Sequence, residues 1–235
     1  MRKRIFYAVV TTIFISVLGI INLHKYKKSL MENNDRSPAK RSVYLEHNNV
    51  LHKSERIHGF KHLLTLFTTY KELKTIPHHQ FAREVALLNW PSFKPYIHPV
   101  VFLNFTNSAI AKRARRAGWD VLPLTRVNSA GTPFLKDMYR TIFHKYQSLL
   151  YGYANGDILF DKGIVKTLVA IRQRMHTLGN NVLLTGRRTN ILVDLNANVS
   201  IKHFQPERLQ KLAKEKGKLL PGYAIDYFFF TKEGK

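Results

Sequence analysis

The sequence predicts an α/β protein, a mainly parallel sheet with helices on both faces. Two observations predict it. From Phe60 onward, short apolar β-prone runs alternate with helical patterns of about ten residues or more, the signature of βαβ units. The chain also has the means to bury a core: 235 residues, 45% hydrophobic against 23% charged, which excludes a globally disordered chain.

The elements follow in order. Leu63-Leu64-Thr65-Leu66-Phe67-Thr68-Thr69 reads as a buried strand. Gln80 to Trp90 places Phe81, Val85 and Leu88 at helical spacing, and Pro91 stops it. Pro99 to Phe105 is a second strand. Asn107 to Ala117 is a helix ended by Gly118, and Trp119 to Pro123 is a third strand. Pro133, suited to a first helical turn, opens a helix to about Leu149. Tyr151 to Phe160 contains the fourth strand. Gly163 to Leu178 is a helix, Asn181 to Leu184 a strand, and Gly222 to Phe230 a last strand with one acid near its start. Ligands of such sheets collect at the carboxyl ends of the strands.

Ahead of this domain lies a different kind of segment. Arg2, Lys3 and Arg4 precede an uncharged run from Ile5 to Leu23, and His24, Lys25, Lys27 and Lys28 follow it. As a helix the run spans about 28 Å, close to the ~30 Å of a hydrocarbon core. It is longer than the apolar region of a cleaved signal peptide, and no small-x-small site precedes the basic cluster. The expected organisation is a cytoplasmic tail (1–4), a transmembrane signal-anchor helix (5–23), a polar stem (24–57) and a domain (58–235). The free α-amino group favours a cytoplasmic N-terminus, which places the domain in the lumen.

Charge and cysteine content narrow the partners. Lys and Arg number 38 against 15 Asp and Glu, a net charge of +23, so the surface favours polyanions. A lumenal domain meets no nucleic acid, and none is expected as a partner. With no cysteine, disulfides, thiolate metal sites and cysteine nucleophiles are excluded. His58 and His62 stand at i, i+4, but no Glu completes a zinc-protease pattern between them. No P-loop, GxGxxG or GxSxG occurs.

Four segments could carry chemistry. Asn155-Gly156-Asp157 sits between apolar stretches, where a carboxylate at a strand end can hold Mg²⁺ or Mn²⁺; Asn-Gly is equally a turn signal. Gly186-Arg187-Arg188 follows a strand, and guanidinium groups bind phosphate in a fork; a loop with two solvated arginines fits as well. Asp137 in Pro133 to Tyr139 reads as a helix-surface residue. Asp226 precedes Tyr227-Phe228, as a site acid or an incidental turn aspartate. Asn104 and Asn198 begin N-glycosylation sequons; Asn104 falls in a predicted buried strand, which favours Asn198.

The order of these pieces resembles the GT-A class of nucleotide-sugar glycosyltransferases, and within it a group of glycosyltransferase-like type II membrane proteins. The matching residues are Phe67-Thr68-Thr69, Trp90, Pro133 to Tyr139, Gly152 to Leu159, Gly186 to Arg188 and Asp226 to Phe228, over about residues 60 to 235. The resemblance implies a GT-A-like Rossmannoid fold with Mn²⁺ or Mg²⁺, in the Golgi or endoplasmic reticulum membrane. It implies a nucleotide-sugar donor and a glycan or glycoconjugate acceptor. Thr68, Thr69 and Lys71 would line the nucleotide pocket. Asn155 and Asp157 would stand at the metal-binding Asp-x-Asp position, with Asn155 replacing the first acid. Arg187 or Arg188 would meet diphosphate or acceptor, and Asp226, as the catalytic residue, would lie on the acceptor side. Related proteins continue beyond the Asp-Tyr-Phe strand into elements that complete the acceptor site, so with Lys235 following that strand directly the resemblance leaves three alternatives: a shortened protein, a partial sequence or a non-catalytic relative. The alternative is a catalytically inactive protein of the same fold that binds anionic glycans through its basic surface.

Overall fold

The computed structural model describes residues 60–70, 77–178, 181–194, 200–222 and 225–232, together with the backbone of Ile5–Ser16. Ile5–Ser16 is strand β1. Strand β2 (His62–Thr69) leads to helix α1 (Pro77–Asn89), β3 (Ile97–Leu103) to α2 (Ala109–Arg116), and β4 (Asp120–Pro123) to α3 (Leu135–Lys145). Then come β5 (Ser148–Ala154), the short β6 (Ile158–Leu159), α4 (Gly163–Gln173) and the single turn α5 (Met175–Leu178). The long β7 (Leu183–Asp194), α6 (Pro206–Lys216), β8 (Gly217–Leu219) and β9 (Ile225–Phe230) complete the described elements.

The chain is an α/β protein with one mixed sheet, ordered β4-β3-β2-β5-β9-β7-β1-β6, with β8 also paired to β7. From β4 to β5 all pairs are parallel, as the alternating pattern predicts. The other half departs from that expectation, because β9 runs antiparallel to both β5 and β7. Burial follows this division. Central β2 is buried from Leu63 to Thr68, as a parallel strand covered on both faces must be. β9 alternates, with Tyr227 and Phe229 buried and Ile225 and Phe228 exposed.

Helices cover both faces. Met138, Tyr139 and Ile142 of α3 pack on Phe67, Val100, Phe102 and Tyr151. Ile110 and Ala114 of α2 and Ile164, Leu168 and Ile171 of α4 belong to the core around Leu64, Leu66, Val101 and Leu150.

Several boundaries differ from the sequence expectation. The helix expected to reach Leu149 stops at Lys145, because Ser148 and Leu149 are already buried in β5. The expected single helix Gly163 to Leu178 breaks at Arg174. The expected short strand at 181–184 is the start of a twelve-residue strand that carries Gly186-Arg187-Arg188 within it. Helix α6 was not foreseen, although Pro206 and Glu207 in its first turn and Lys214 and Lys216 in its last are ordinary terminal signals.

The segment Ile5–Ser16 also differs from the helix expected there. Its backbone is extended, antiparallel to β7 and parallel to β6. Its Ile, Val, Thr, Phe and Tyr residues suit a strand as well as an apolar helix. Among the described residues no helix is long and apolar enough to cross a membrane. The rest of the expected anchor and the stem lie outside the described residues.

Two features of this fold position the site. The chain goes from β2 outward to β3 and β4, then returns to the other side of β2 as β5. The carboxyl ends of β2 and β5 therefore flank the topological switch point, where open α/β sheets bind ligands. The end of α1 then clamps the chain just beyond β5. The buried Asn89 amide pairs with the Phe160 peptide unit: Nδ2 donates to the Phe160 carbonyl at 2.9 Å, and Oδ1 accepts the Phe160 N–H at 2.9 Å. Trp90 Nε1 donates to the Ile158 carbonyl at 2.8 Å, and its ring stacks on Trp119 with centroids 4.8 Å apart. Both faces of the Trp90 and Asn89 clamp are thus satisfied, and the turn 155–157 springs from a fixed base.

Candidate functional site at the carboxyl end of the fifth strand

Asn155-Gly156-Asp157 forms the turn between β5 and β6, closed by the Ile158 N–H donating to the Asn155 carbonyl at 3.0 Å. Gly156 is required there by contact. A Cβ at this position would run into the Tyr70 ring, whose hydroxyl donates to the Gly156 carbonyl at 3.4 Å. Tyr70 itself follows directly on β2, so this one ring bridges the two strand ends at the switch point.

Asp226 reaches the same place from β9. Between Thr185 and Arg187 of β7, two steps match three along β9, from Phe228 to Ile225. The extra residue makes a β-bulge at Asp226 and Tyr227, the device by which sheets re-aim a side chain. The Asn155 N–H donates to the Asp226 carbonyl at 3.1 Å. Asp226 Oδ1 accepts Asn155 Nδ2 and an Arg188 guanidinium nitrogen, each at 2.9 Å. The Tyr153 hydroxyl donates to Asn155 Oδ1 at 3.0 Å. The negative charges of Asp157 and Asp226 both act on Tyr153, whose acidity is weakened first by burial and then by these two carboxylates. An acid, an amide, a phenol and a guanidinium are therefore joined by hydrogen bonds, with Asp157 two residues along in the same turn.

The cluster is incompletely satisfied. The Asp226 side chain is only 10% exposed, yet its Oδ2 has no hydrogen-bond partner among the described residues. Nε of Arg188 is buried and likewise lacks one. An unpaired buried acceptor and donor cost about 1–3 kcal/mol each, which natural folds rarely accept without a use.

Of the residues singled out in the sequence, Asn155, Asp157, Arg188 and Asp226 come together. The others do not join them. Arg187 lies next to Arg188 in a strand, so the two alternate in direction, and the reading of both as loop arginines is corrected. Arg187 Nε donates instead to the Leu220 carbonyl at 2.8 Å. Thr68 is fully buried in β2, and the Thr69 hydroxyl donates to the Phe102 carbonyl at 2.9 Å, stitching β2 to β3. Asp137 forms ion pairs with Arg126 and Arg140 at 3.3 and 3.8 Å, but its side chain is only 13% exposed, so the acid expected on the helix surface is largely buried. Asn104 was expected inside a buried strand but is exposed just past the end of β3, because β3 closes at Leu103. Lys71 and Asn198 lie outside the described residues.

Sequence reading missed the supports. Tyr139 of α3 donates its hydroxyl to the Phe228 carbonyl at 3.0 Å and accepts the Tyr153 N–H at 3.1 Å, filling the gap between β5 and β9 beside the bulge. Tyr70 and Asn89 were equally silent, since an aromatic at a strand end and an Asn at a helix end are common. A divalent cation fits the donor set in kind. Two carboxylates and an amide oxygen suit Mg²⁺ or Mn²⁺, which take one or two protein carboxylates and complete their shell from substrate phosphates. Among the described residues no group of three or more acids or histidines is assembled.

No protein-family model matches the chain, and neither a curated protein nor a solved structure matches it.

Proposed function

We propose that this chain is a metal-dependent glycosyltransferase of GT-A type that uses a nucleotide-sugar donor. The observation that carries the reading is the convergence of Asn155, Arg188 and Asp226, with Asp157 in the same turn as Asn155, beside the switch point of a parallel half-sheet. The bound cation would supply charge neutralisation for a leaving nucleoside diphosphate. Asp157 is the charged residue that holds it, with the Asn155 amide oxygen beside it. Arg188 carries the positive charge that Asp226 orients toward the phosphates or the acceptor. Asp226 keeps Oδ1 for that orientation and is the residue assigned to the acceptor side. The resemblance assigns Thr68, Thr69 and Lys71 to the nucleotide, but Thr68 is fully buried and the Thr69 hydroxyl is bonded to the Phe102 carbonyl, so neither threonine is carried into this proposal.

In this reading the run Ile5 to Leu23 is a type II anchor in the Golgi or endoplasmic reticulum membrane. A bilayer offers no sheet edge to satisfy its backbone, so the segment would be helical there. Asn104, being exposed, and Asn198 are then the acceptors for N-glycans.

The test is donor hydrolysis and transfer by the full chain in detergent, with a panel of nucleotide sugars and Mn²⁺. Turnover of at least one donor is expected, and neither binding nor hydrolysis of any donor overturns the proposal. A second reading, an inactive binder of anionic glycans, is favoured by the exposed Lys112, Arg113, Arg115 and Arg116 of α2 on a chain of net charge +23. It requires salt-sensitive glycan binding that survives loss of Asp157.

A further inference from the structure

Arg83 of α1 is a cation without a matching acid. Its guanidinium lies over the Tyr70 ring, 5.2 Å from the centroid. No carboxylate pairs with it among the described residues, while its neighbour Glu84 is taken by Arg113 at 3.0 Å. Tyr70 is 8% exposed and touches the Gly156 turn, both by its ring edge and through its hydroxyl. Tyr70 thus contacts Arg83 by its ring face and the Gly156 turn by its edge. The ring senses both groups: its acidity is weakened first by burial, then moved in opposite directions by Arg83 and by Asp157.

Resting a guanidinium on an aromatic face fixes its position without consuming its hydrogen-bond donors. Those five donors remain for a ligand. An acid partner would neutralise them, and among the described residues none pairs with Arg83. The site therefore has cations on two sides of its turn: Arg188, bound to Asp226 on the β9 side, and Arg83 on the β2 side, held by Tyr70. Resting on the function proposed above, we infer that Arg83 is a second phosphate-binding residue of this site, taking the diphosphate of the donor across the Asn155-Gly156-Asp157 turn from Arg188.

The test uses the full chain in detergent with inorganic pyrophosphate and Mn²⁺, by titration calorimetry at about 0.15 M salt, where exposed charges are screened beyond ~8 Å. Arg83→Gln should weaken pyrophosphate binding about tenfold or more, roughly one lost charged contact of 1.4 kcal/mol. Arg83→Lys keeps the charge but not the fork and should fall between. Arg116→Gln, an exposed arginine of α2, should change it less than about twofold. Mn²⁺ binding in the absence of pyrophosphate should be the same in Arg83→Gln as in the parent chain. Tight pyrophosphate binding by the parent chain that Arg83→Gln and Arg83→Lys both retain would overturn this inference alone. A parent chain that binds no pyrophosphate overturns the proposed function with it. Loss in Arg83→Gln matched by equal loss in Arg116→Gln would show general charge attraction and also overturn the inference.

Discussion

The two ends of the parallel half-sheet each carry a polar cluster built on one aspartate, and they differ in how that aspartate is used. At the amino end, Asp120 Oδ2 accepts the Tyr146 hydroxyl at 2.7 Å and meets His98 Nε2 at 3.1 Å. His98 stacks on His62 with centroids 4.8 Å apart, and His62 Nδ1 contacts the Pro95 carbonyl at 2.9 Å. The Asp120 side chain is 45% exposed, so water completes its shell. At the carboxyl end, Asp226 is deeply buried and one of its oxygens is left unmatched, beside a buried Arg188 nitrogen that is unmatched too. The first cluster is closed and its return is stability. The second gives up stability to keep groups in readiness, the usual relation between a fold and its site.

The largest expected effect tests what holds the second cluster in place. Trp90→Ala removes a fully buried indole and its bond to the Ile158 carbonyl, and should cost about 3–5 kcal/mol in urea unfolding. A loss below about 1 kcal/mol would mean that the turn is not held from α1. Next comes a pair that separates the two ends. Asp226→Asn should reduce donor hydrolysis about 10²-fold or more, and it should also cost about 1–3 kcal/mol, since it leaves the partly buried Arg188 without its charge partner. Asp120→Asn should cost about 1 kcal/mol and leave turnover unchanged, the small figure reflecting its exposure. Equal effects of the two on turnover would dissolve the distinction.

The smallest effect is a pH dependence confined to the amino end. Burial holds His98 below the ordinary imidazole value of 6.5, against the opposing pull of Asp120. An unfolded chain protonates this histidine as pH falls past 6.5 and the folded chain resists, so stability is full above that value and declines below it. Asp120 adds a slope of the same sign at lower pH. Burial raises its affinity for the proton, but the Tyr146 hydroxyl and His98 outweigh this, so its contribution is present above 3.8 and lost as pH falls further. His98→Gln should flatten the unfolding midpoint between pH 7 and 5, and an unchanged slope would contradict the assignment.

The sequence carried the parallel half of the fold and most of the cluster. Periodicity located β2, α1, β3, α2 and β4, because each is a local pattern with its own stop signal, such as Pro91 or Gly118. The turn 155–157 was legible from Asn-Gly and an acid at a strand end. The antiparallel half was not, because the Gly186-Arg187-Arg188 stretch has the composition of a loop and gains its strand from pairing with β9 and β8, partners distant in sequence. The same reason hid the separate fates of Arg187 and Arg188, which follow from strand alternation. The bulge at Asp226 and the Tyr139 bridge depend on register, which no local pattern records. Arg83 was invisible for a simpler cause: in so basic a chain one more arginine carries no signal until its missing acid partner can be seen.

The central claim is that Asp157 holds a cation for a nucleoside diphosphate at the carboxyl end of β5. Calorimetry of the full chain, its Asp157→Ala variant and its Asp120→Asn variant with a panel of nucleoside diphosphates, with and without Mn²⁺, tests it most directly. The account predicts Mn²⁺-dependent binding of at least one diphosphate by the parent chain and by Asp120→Asn, and none by Asp157→Ala. Binding that Asp157→Ala retains, or that needs no metal, would contradict it.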